Sequence, residues 1–225
     1  MAFIYVPVTL ILNKGEFMAV IALAAQKGGV GKTTLAFNLA VMRARKKNVL
    51  AIDTDPQKSF VDLFNIRDKK PMPVEYFNID GSILHKGIPK VKDKYDDIII
   101  DTAGRKSEEM ISALVISDIF LIPFRPSRLD LLAMESMDEL ASTAKAKKPD
   151  LKIYAVINQA STHHLQKESK QAIFEFKNFK HIQLLNCEVK DRTIYRQSID
   201  KGLAVIECAN KKAKYEMNTL YNRIF

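Results

Sequence analysis

Short apolar runs alternate with amphipathic stretches along the whole chain. Residues 18–25 (MAVIALAA) are apolar without a break and end at a glycine-rich segment, which predicts a strand buried on both faces. Just beyond the glycines, Leu35, Ala36, Leu39, Ala40 and Val41 recur at helical spacing, so a helix starts where the loop ends. Two more apolar runs, residues 48–53 and 98–100, stop at carboxylates. Further strands are predicted near 74–78, 118–123, 152–158 and 182–187. Helices are predicted near 58–65, 106–116, 127–147, 162–179 and 209–224. This alternation predicts an α/β fold, a mostly parallel twisted sheet with helices on both faces. No Pro/Gly/Ser-rich linker or internal repeat divides residues 18–225, which are expected to form a single domain.

Residues 1–17 stand apart from this pattern. The apolar stretch at 3–12 is too short to span a bilayer, contains Pro7 and has no basic residue before it as a secretory signal would. Met18 opens the strand that feeds the loop and is a candidate start, with Lys14-Gly15-Glu16 encodable by a purine-rich run resembling a ribosome-binding site. The alternative is a genuine extra edge strand.

The glycine-rich segment, AQKGGVGKTT at 25–34, is a phosphate-binding loop of a variant kind. In the ordinary pattern, G-x-x-x-x-G-K-[ST], backbone N–H groups cradle phosphates, one lysine reaches the terminal phosphates and a hydroxyl binds Mg²⁺. Gly31, Lys32 and Thr33 fit it. Gln26 stands where the first glycine should be, the glycines have moved to Gly28, Gly29 and Gly31, and a second lysine, Lys27, has appeared. Val30 and Thr34 complete the cradle.

Two acidic strand ends accompany the loop. NVLAIDTDPQKS (48–59) carries Asp53 and Asp55 at i, i+2, pointing the same way while the strand lasts, at the strand end where parallel sheets bind ligands. Acids there can position Mg²⁺ waters and an attacking water. YDDIIIDTAGR (95–105) ends its apolar run at Asp101, the place of a Walker-B acid, and Gly104 lets the backbone approach a γ-phosphate. Asn158, at the end of IYAVINQA, sits where a strand could offer an amide to a base ring or simply end in a turn. The adenine reader stays open between Asn158 and residues 123–127.

Charge adds a second theme. The net charge is +9, and residues 143–225 hold 16 Lys/Arg against 8 Asp/Glu, a net +8. Such asymmetry suits a polyanion-facing surface, with a merely soluble lysine-rich surface as the alternative. Cys187 and Cys208 are far apart and outside C-x-x-C spacing, which fits a reducing compartment and argues against zinc or iron–sulfur ligation. His163 and His164 are adjacent and cannot share a helix face as metal ligands.

Taken together, QKGGVGKTT, DTDPQKS and DDIIIDTAG, with SDIFLIPFRPSRLD at 117–130, resemble the ParA family of partition ATPases. Within the deviant Walker A class that includes MinD, the similarity is to small plasmid-type members and runs from about residue 18 to 225. The resemblance implies ATP and Mg²⁺ as cofactors, weak ATPase activity and ATP-driven homodimerisation. It also implies nonspecific DNA binding, a ParB-like centromere-binding partner that stimulates hydrolysis, and a cytoplasmic, nucleoid-associated location. Lys27 would reach across the dimer to the partner's nucleotide, Lys32 would bind the β/γ-phosphates and Thr33 would ligate Mg²⁺. Asp55 would position the hydrolytic water, Asp53 would organise the loop and metal shell, and Asp101 would be the Walker-B acid. Arg192 occupies the place of a DNA-contacting arginine, with Arg196 and Lys201 beside it. Arg105 departs from the pattern toward signal-recognition GTPases, whose guanine-specifying acidic motif is not evident here. The alternative function is a MinD-like positioning or regulatory ATPase acting on a protein assembly or membrane surface without DNA. A basic amphipathic tail would favour it, and Tyr215, Leu220, Tyr221, Ile224 and Phe225 are its apolar candidates, although stable membrane association is not expected because this segment matches a core-packing terminal helix.

Overall fold

A computed structural model describes residues 18–67, 72–103, 108–163 and 167–225. Residues 1–17, with the choice between a late start and an extra strand, lie outside the described residues, as do Gly104, Arg105 and His164.

Seven parallel strands form one sheet: β1 (Ala19–Leu23), β2 (Val49–Asp53), β3 (Val74–Asn78), β4 (Asp97–Asp101), β5 (Ile119–Phe124), β6 (Lys152–Ala160) and β7 (Gln183–Lys190). Their order is β3-β2-β4-β1-β5-β6-β7. The α/β expectation therefore holds, and every predicted strand is present. The central strands read as unbroken apolar runs because both faces are covered: Ile21, Leu23 and Ile99 face one core, while Val20, Ala22, Ile98 and Ile100 face the other.

The first core is closed by α1 (Lys32–Arg43), α2 (Ser59–Ile66), α7 (Thr193–Ile199) and α8 (Lys211–Ile224). The second is closed by α3 (Leu84–Val91), α4 (Glu108–Ile116), α5 (Arg128–Lys147) and α6 (Lys167–Glu175). Helix α8 buries Ala213, Met217, Leu220 and Ile224, so its apolar stripe belongs to the core. Its end is pinned as well, because Arg43 lies over the Phe225 ring, donates to the Tyr221 hydroxyl and pairs with the buried carboxylate of Asp97. No helix among the described residues is long and apolar enough to cross a membrane.

Two helices escaped the periodicity reading. Helix α3 contains Gly87 and Pro89, which read as a loop, yet Leu84 and Ile88 bury themselves one turn apart. Helix α7 is short and polar and buries only Tyr195 and Ser198. The helix expected over 162–179 is shorter: α6 gives way to a tight 3₁₀ turn at Phe176–Asn178. Cys187 and Cys208 are both half-buried.

Candidate functional site

The chain's order around β1 assembles the site. β1 continues into α1, while β2 and β4 lie on one side of the sheet and β5 on the other, a switch point of the kind where α/β sheets bind ligands. In register, Asp101 lies beside both Leu23 of β1 and Asp53 of β2, so three strand ends finish level under the loop.

Gly31 makes the loop possible. Its φ of 86° is left-handed, and a Cβ there would come within 2.4 Å of the Asn158 amide nitrogen. That amide donates to the Val30 carbonyl at 2.7 Å, and Gln159, itself left-handed at φ 53°, donates to Gly29 at 2.9 Å. The buried Val30 and these two amides fix the loop's shape from β6. Asn158 thus grips the loop through its amide nitrogen. Helix α1 starts at Lys32 with no side-chain cap and no acid in its first turn, which leaves its first N–H groups open to an anion.

Below the loop, the Thr33 hydroxyl donates to Asp101 Oδ2 at 2.6 Å. The other oxygen, Oδ1, is buried without a hydrogen-bond partner. Burial pushes Asp101 up to about 7, against the pull of the Thr33 hydroxyl and the Lys32 charge, and Asp53 and Asp55 push it further up. A buried carboxylate with an orphaned oxygen beside a threonine hydroxyl is the donor set that a hard divalent cation fits. Among the described residues no group of three His, Cys, Asp or Glu could hold a metal alone, so remaining ligands would come from water and phosphate.

Asp53 is fully buried and already engaged. Its Oδ1 accepts from Asp55 N at 2.9 Å, and its Oδ2 accepts from Phe60 N at 2.8 Å and Val61 N at 3.3 Å. It therefore shapes the acidic loop and caps α2. Asp55 stays half-exposed at the strand end and accepts from Gln57 N at 2.9 Å.

Lys27 does not lie with Lys32. Its ammonium pairs with Asp130 Oδ1 at 3.0 Å, while Asp130 Oδ2 accepts from the Arg125 amide at 2.9 Å. Sequence reasoning gave Asp130 no role. The S-x-x-D spacing of Ser127 and Asp130 was the available signal, and Ser127 does cap α5 by accepting from Asp130 N.

A pocket of about 60 Å³ opens beside Gly31 and Thr34, walled by Asn158, Gln159, Arg192, Tyr195 and Arg196. Residues 123–127 do not line it. Arg192 is held there by Glu216 of α8, at 2.6 Å, and Glu216 also accepts from the Tyr195 hydroxyl at 3.1 Å. Arg196 pairs with Asp191 at 3.1 Å on the surface. Lys201 is exposed beyond α7, next to Gly202, whose backbone abuts the end of α2 at Arg67. Arg192 and Arg196 thus share that pocket wall, and Lys201 follows the end of α7.

Comparison with known proteins agrees with this geometry. A family model described as the CobQ/CobB/MinD/ParA nucleotide binding domain matches residues 21–205. The chain is 27% identical over 210 residues to the maintenance of carboxysome distribution protein A of Halothiobacillus neapolitanus, covering 91% of this chain and 95% of that one. In structure it is similar to an ATP complex of a McdA variant from Cyanothece, with a TM-score of 0.78, 18% identity and coverage of 93% and 97%. It is also similar to a putative plasmid partition protein of Borrelia burgdorferi B31 bound to AMPPNP, with a TM-score of 0.70, 19% identity and coverage of 91% and 97%.

Proposed function

The chain belongs to the CobQ/CobB/MinD/ParA nucleotide-binding family, and from that premise we propose that it is an ATP-hydrolysing partition switch. With Mg-ATP two copies pair, and the pair holds DNA without sequence preference. A cargo-bound partner, ParB-like for a plasmid cargo, triggers hydrolysis and release.

The observation that carries this reading is the pair of lysines in one loop, with different surroundings. Lys32 opens α1 close enough to Asp101 to lower its pKa, whereas Lys27 is drawn aside to Asp130. A lysine held off its own loop is available to a second copy once the pair with Asp130 breaks. The N–H groups of residues 28–34 and Lys32 would hold the phosphates of ATP, and Gly104 would allow close approach. Thr33 and Asp101 would hold Mg²⁺, which supplies charge neutralisation at the phosphates. Asp55 would orient the attacking water, and Asp53 keeps Asp55 in place through its amide. The pocket at Asn158 and Gln159 supports a seat for the base.

Slow turnover follows, because a lone subunit lacks the second lysine. Light scattering with ATP and with ADP tests the scheme. Wild type should double its mass only with ATP. Lys27→Gln should keep ADP affinity and stay monomeric, Lys32→Ala should lose nucleotide, and Asp55→Ala should pair but not turn over. An undiminished dimer in Lys27→Gln would remove the in-trans role.

A second reading, positioning of a protein assembly, is supported by the relative named for carboxysome distribution. It shares the switch and differs in cargo. Co-sedimentation with DNA separates a DNA-bound switch, cytoplasmic and on the nucleoid, from one that works without DNA.

A further inference from the structure

Helix α8 reaches the pocket beside the loop through one buried acid. Glu216 is only 8% exposed. Its Oε1 accepts from Arg192 Nε at 2.8 Å, with Arg192 Nη2 at 2.6 Å from the same oxygen, and its Oε2 accepts from the Lys190 amide at 3.2 Å and the Tyr195 hydroxyl at 3.1 Å. Lys190 ends β7, Arg192 immediately precedes α7 and Tyr195 lies within it, so one side chain of α8 gathers the whole turn between them. From the other side the turn is tied to β6, where the Asp191 amide donates to the Ala160 carbonyl at 2.7 Å. Just before Ala160, Asn158 and Gln159 hold the loop itself.

What such a pair fixes is position more than stability. The attraction within a buried ion pair is largely offset by the cost of desolvating both charges, and apolar packing of similar volume would serve the helix as well. Arg192 stands at the N-cap of α7, yet its side chain makes no capping bond there. Engagement through Nε and Nη2 sets the plane of the guanidinium and leaves Nη1 uncommitted by the pair. Burial, and then the neighbouring Glu216 charge, holds the Tyr195 hydroxyl far above its ordinary range, so it stays a donor to Glu216.

We propose that Glu216 is a positioning residue for nucleotide binding. It holds Arg192 so that Nη1 and the guanidinium face meet the sugar and base of a nucleotide whose phosphates lie on the loop. The pocket that Arg192 lines also touches Gly31 and Thr34, so it adjoins the phosphate seat. A planar cation with spare donors suits the hydroxyls, ring nitrogens and π-face of that half of the ligand. Helix α8 is thereby part of the site, although Glu216 itself stays outside the pocket wall. The inference rests on the reading that the loop holds a nucleotide.

Isothermal titration of the full chain with ADP and with tripolyphosphate tests it. Tripolyphosphate reports on the loop alone, and ADP adds the sugar and base. Glu216→Gln keeps the size of the side chain and an acceptor for Lys190 and Tyr195 but removes the charge that holds Arg192. It should lose at least about tenfold in ADP affinity and keep its tripolyphosphate affinity within about twofold of wild type. On an Arg192→Ala background the same change should cost less than about twofold in ADP affinity, because the residue it acts through is gone. If Glu216→Gln fails to fold, Glu216→Asp, one methylene shorter, replaces it in both comparisons with the same expected losses. Unchanged ADP affinity, an equal loss for both probes, or losses that add in the double variant would each overturn the positioning role. A wild-type chain that binds no ADP overturns the nucleotide reading and the inference with it, whereas ADP binding that ignores the Glu216 variants overturns the inference alone.

Discussion

Asp130 takes Lys27 on one carboxylate oxygen and the Arg125 amide on the other. Burial alone would raise its pKa, but the Arg125 amide, the Lys27 bond and both positive charges outweigh burial and hold it below the usual carboxylate value. A depressed carboxylate contributes stability that is present above its unfolded pKa, near 4, and is lost as pH falls through the lower folded value. Asp130→Asn should therefore cost about 1–3 kcal/mol near neutral pH, and the gap to wild type should close in strong acid. Thermal unfolding across that range checks it. A gap that stays constant into strong acid would mean that the charged pair contributes nothing. The same substitution frees Lys27 and should raise the fraction of ATP-bound dimer.

Helix α2 has an unusual start. Its N-cap position, Lys58, is left-handed at φ 57° and provides no side-chain cap. Asp53 supplies the acceptor instead, reaching Phe60 N and Val61 N from the end of β2. One acid thus ends a strand, starts a helix and pins the amide of Asp55. Asp53→Ala should cost about 2 kcal/mol, the upper range for a lost cap, and hydrogen exchange at Phe60 and Val61 should rise before exchange elsewhere in the domain. Turnover should fall with it, because Asp55 loses its anchor. Protection unchanged at those two amides would show that α2 does not depend on Asp53. The i, i+2 acids were legible as chemistry in the sequence. The capping was not, because its acceptor and donors are joined by a turn whose left-handed residue is a lysine.

Across the molecule, the basic C-terminal third divides. Lys145, Lys147, Lys148 and Lys152 lie where α5 ends and β6 begins, at the opposite end of the parallel sheet from the loop. Arg192 and Arg196 stand beside the loop. If DNA lies on the loop side, Arg196 and Lys201, which are exposed, should contribute more to the salt dependence than Arg192, which Glu216 holds. Arg196→Ala with Lys201→Ala should flatten the slope of log affinity against log salt by about 0.9 per lost phosphate contact. Arg192→Ala should instead weaken ATP binding, because the pocket wall loses its tie to α8. Anisotropy on unrelated duplexes at several salt concentrations, with ATP titration of each variant, decides. A larger slope change for Arg192→Ala than for the pair would return that arginine to the DNA surface.

The seven strands, the helices other than α3 and α7, and the loop were legible in the sequence. The central strands β1, β2, β4 and β5 are covered on both faces and so are apolar for most of their length, and a phosphate loop needs glycine and lysine at fixed spacing, so both leave local marks that need no partner to be read. Tertiary structure alone decided which distant groups meet. Lys27 and Asp130, Asn158 and Val30, and Arg192 and Glu216 are joined by sheet order and helix packing. A side chain's partner across the fold depends on where each strand end comes to rest, and no periodicity of 2.0 or 3.6 residues carries that information.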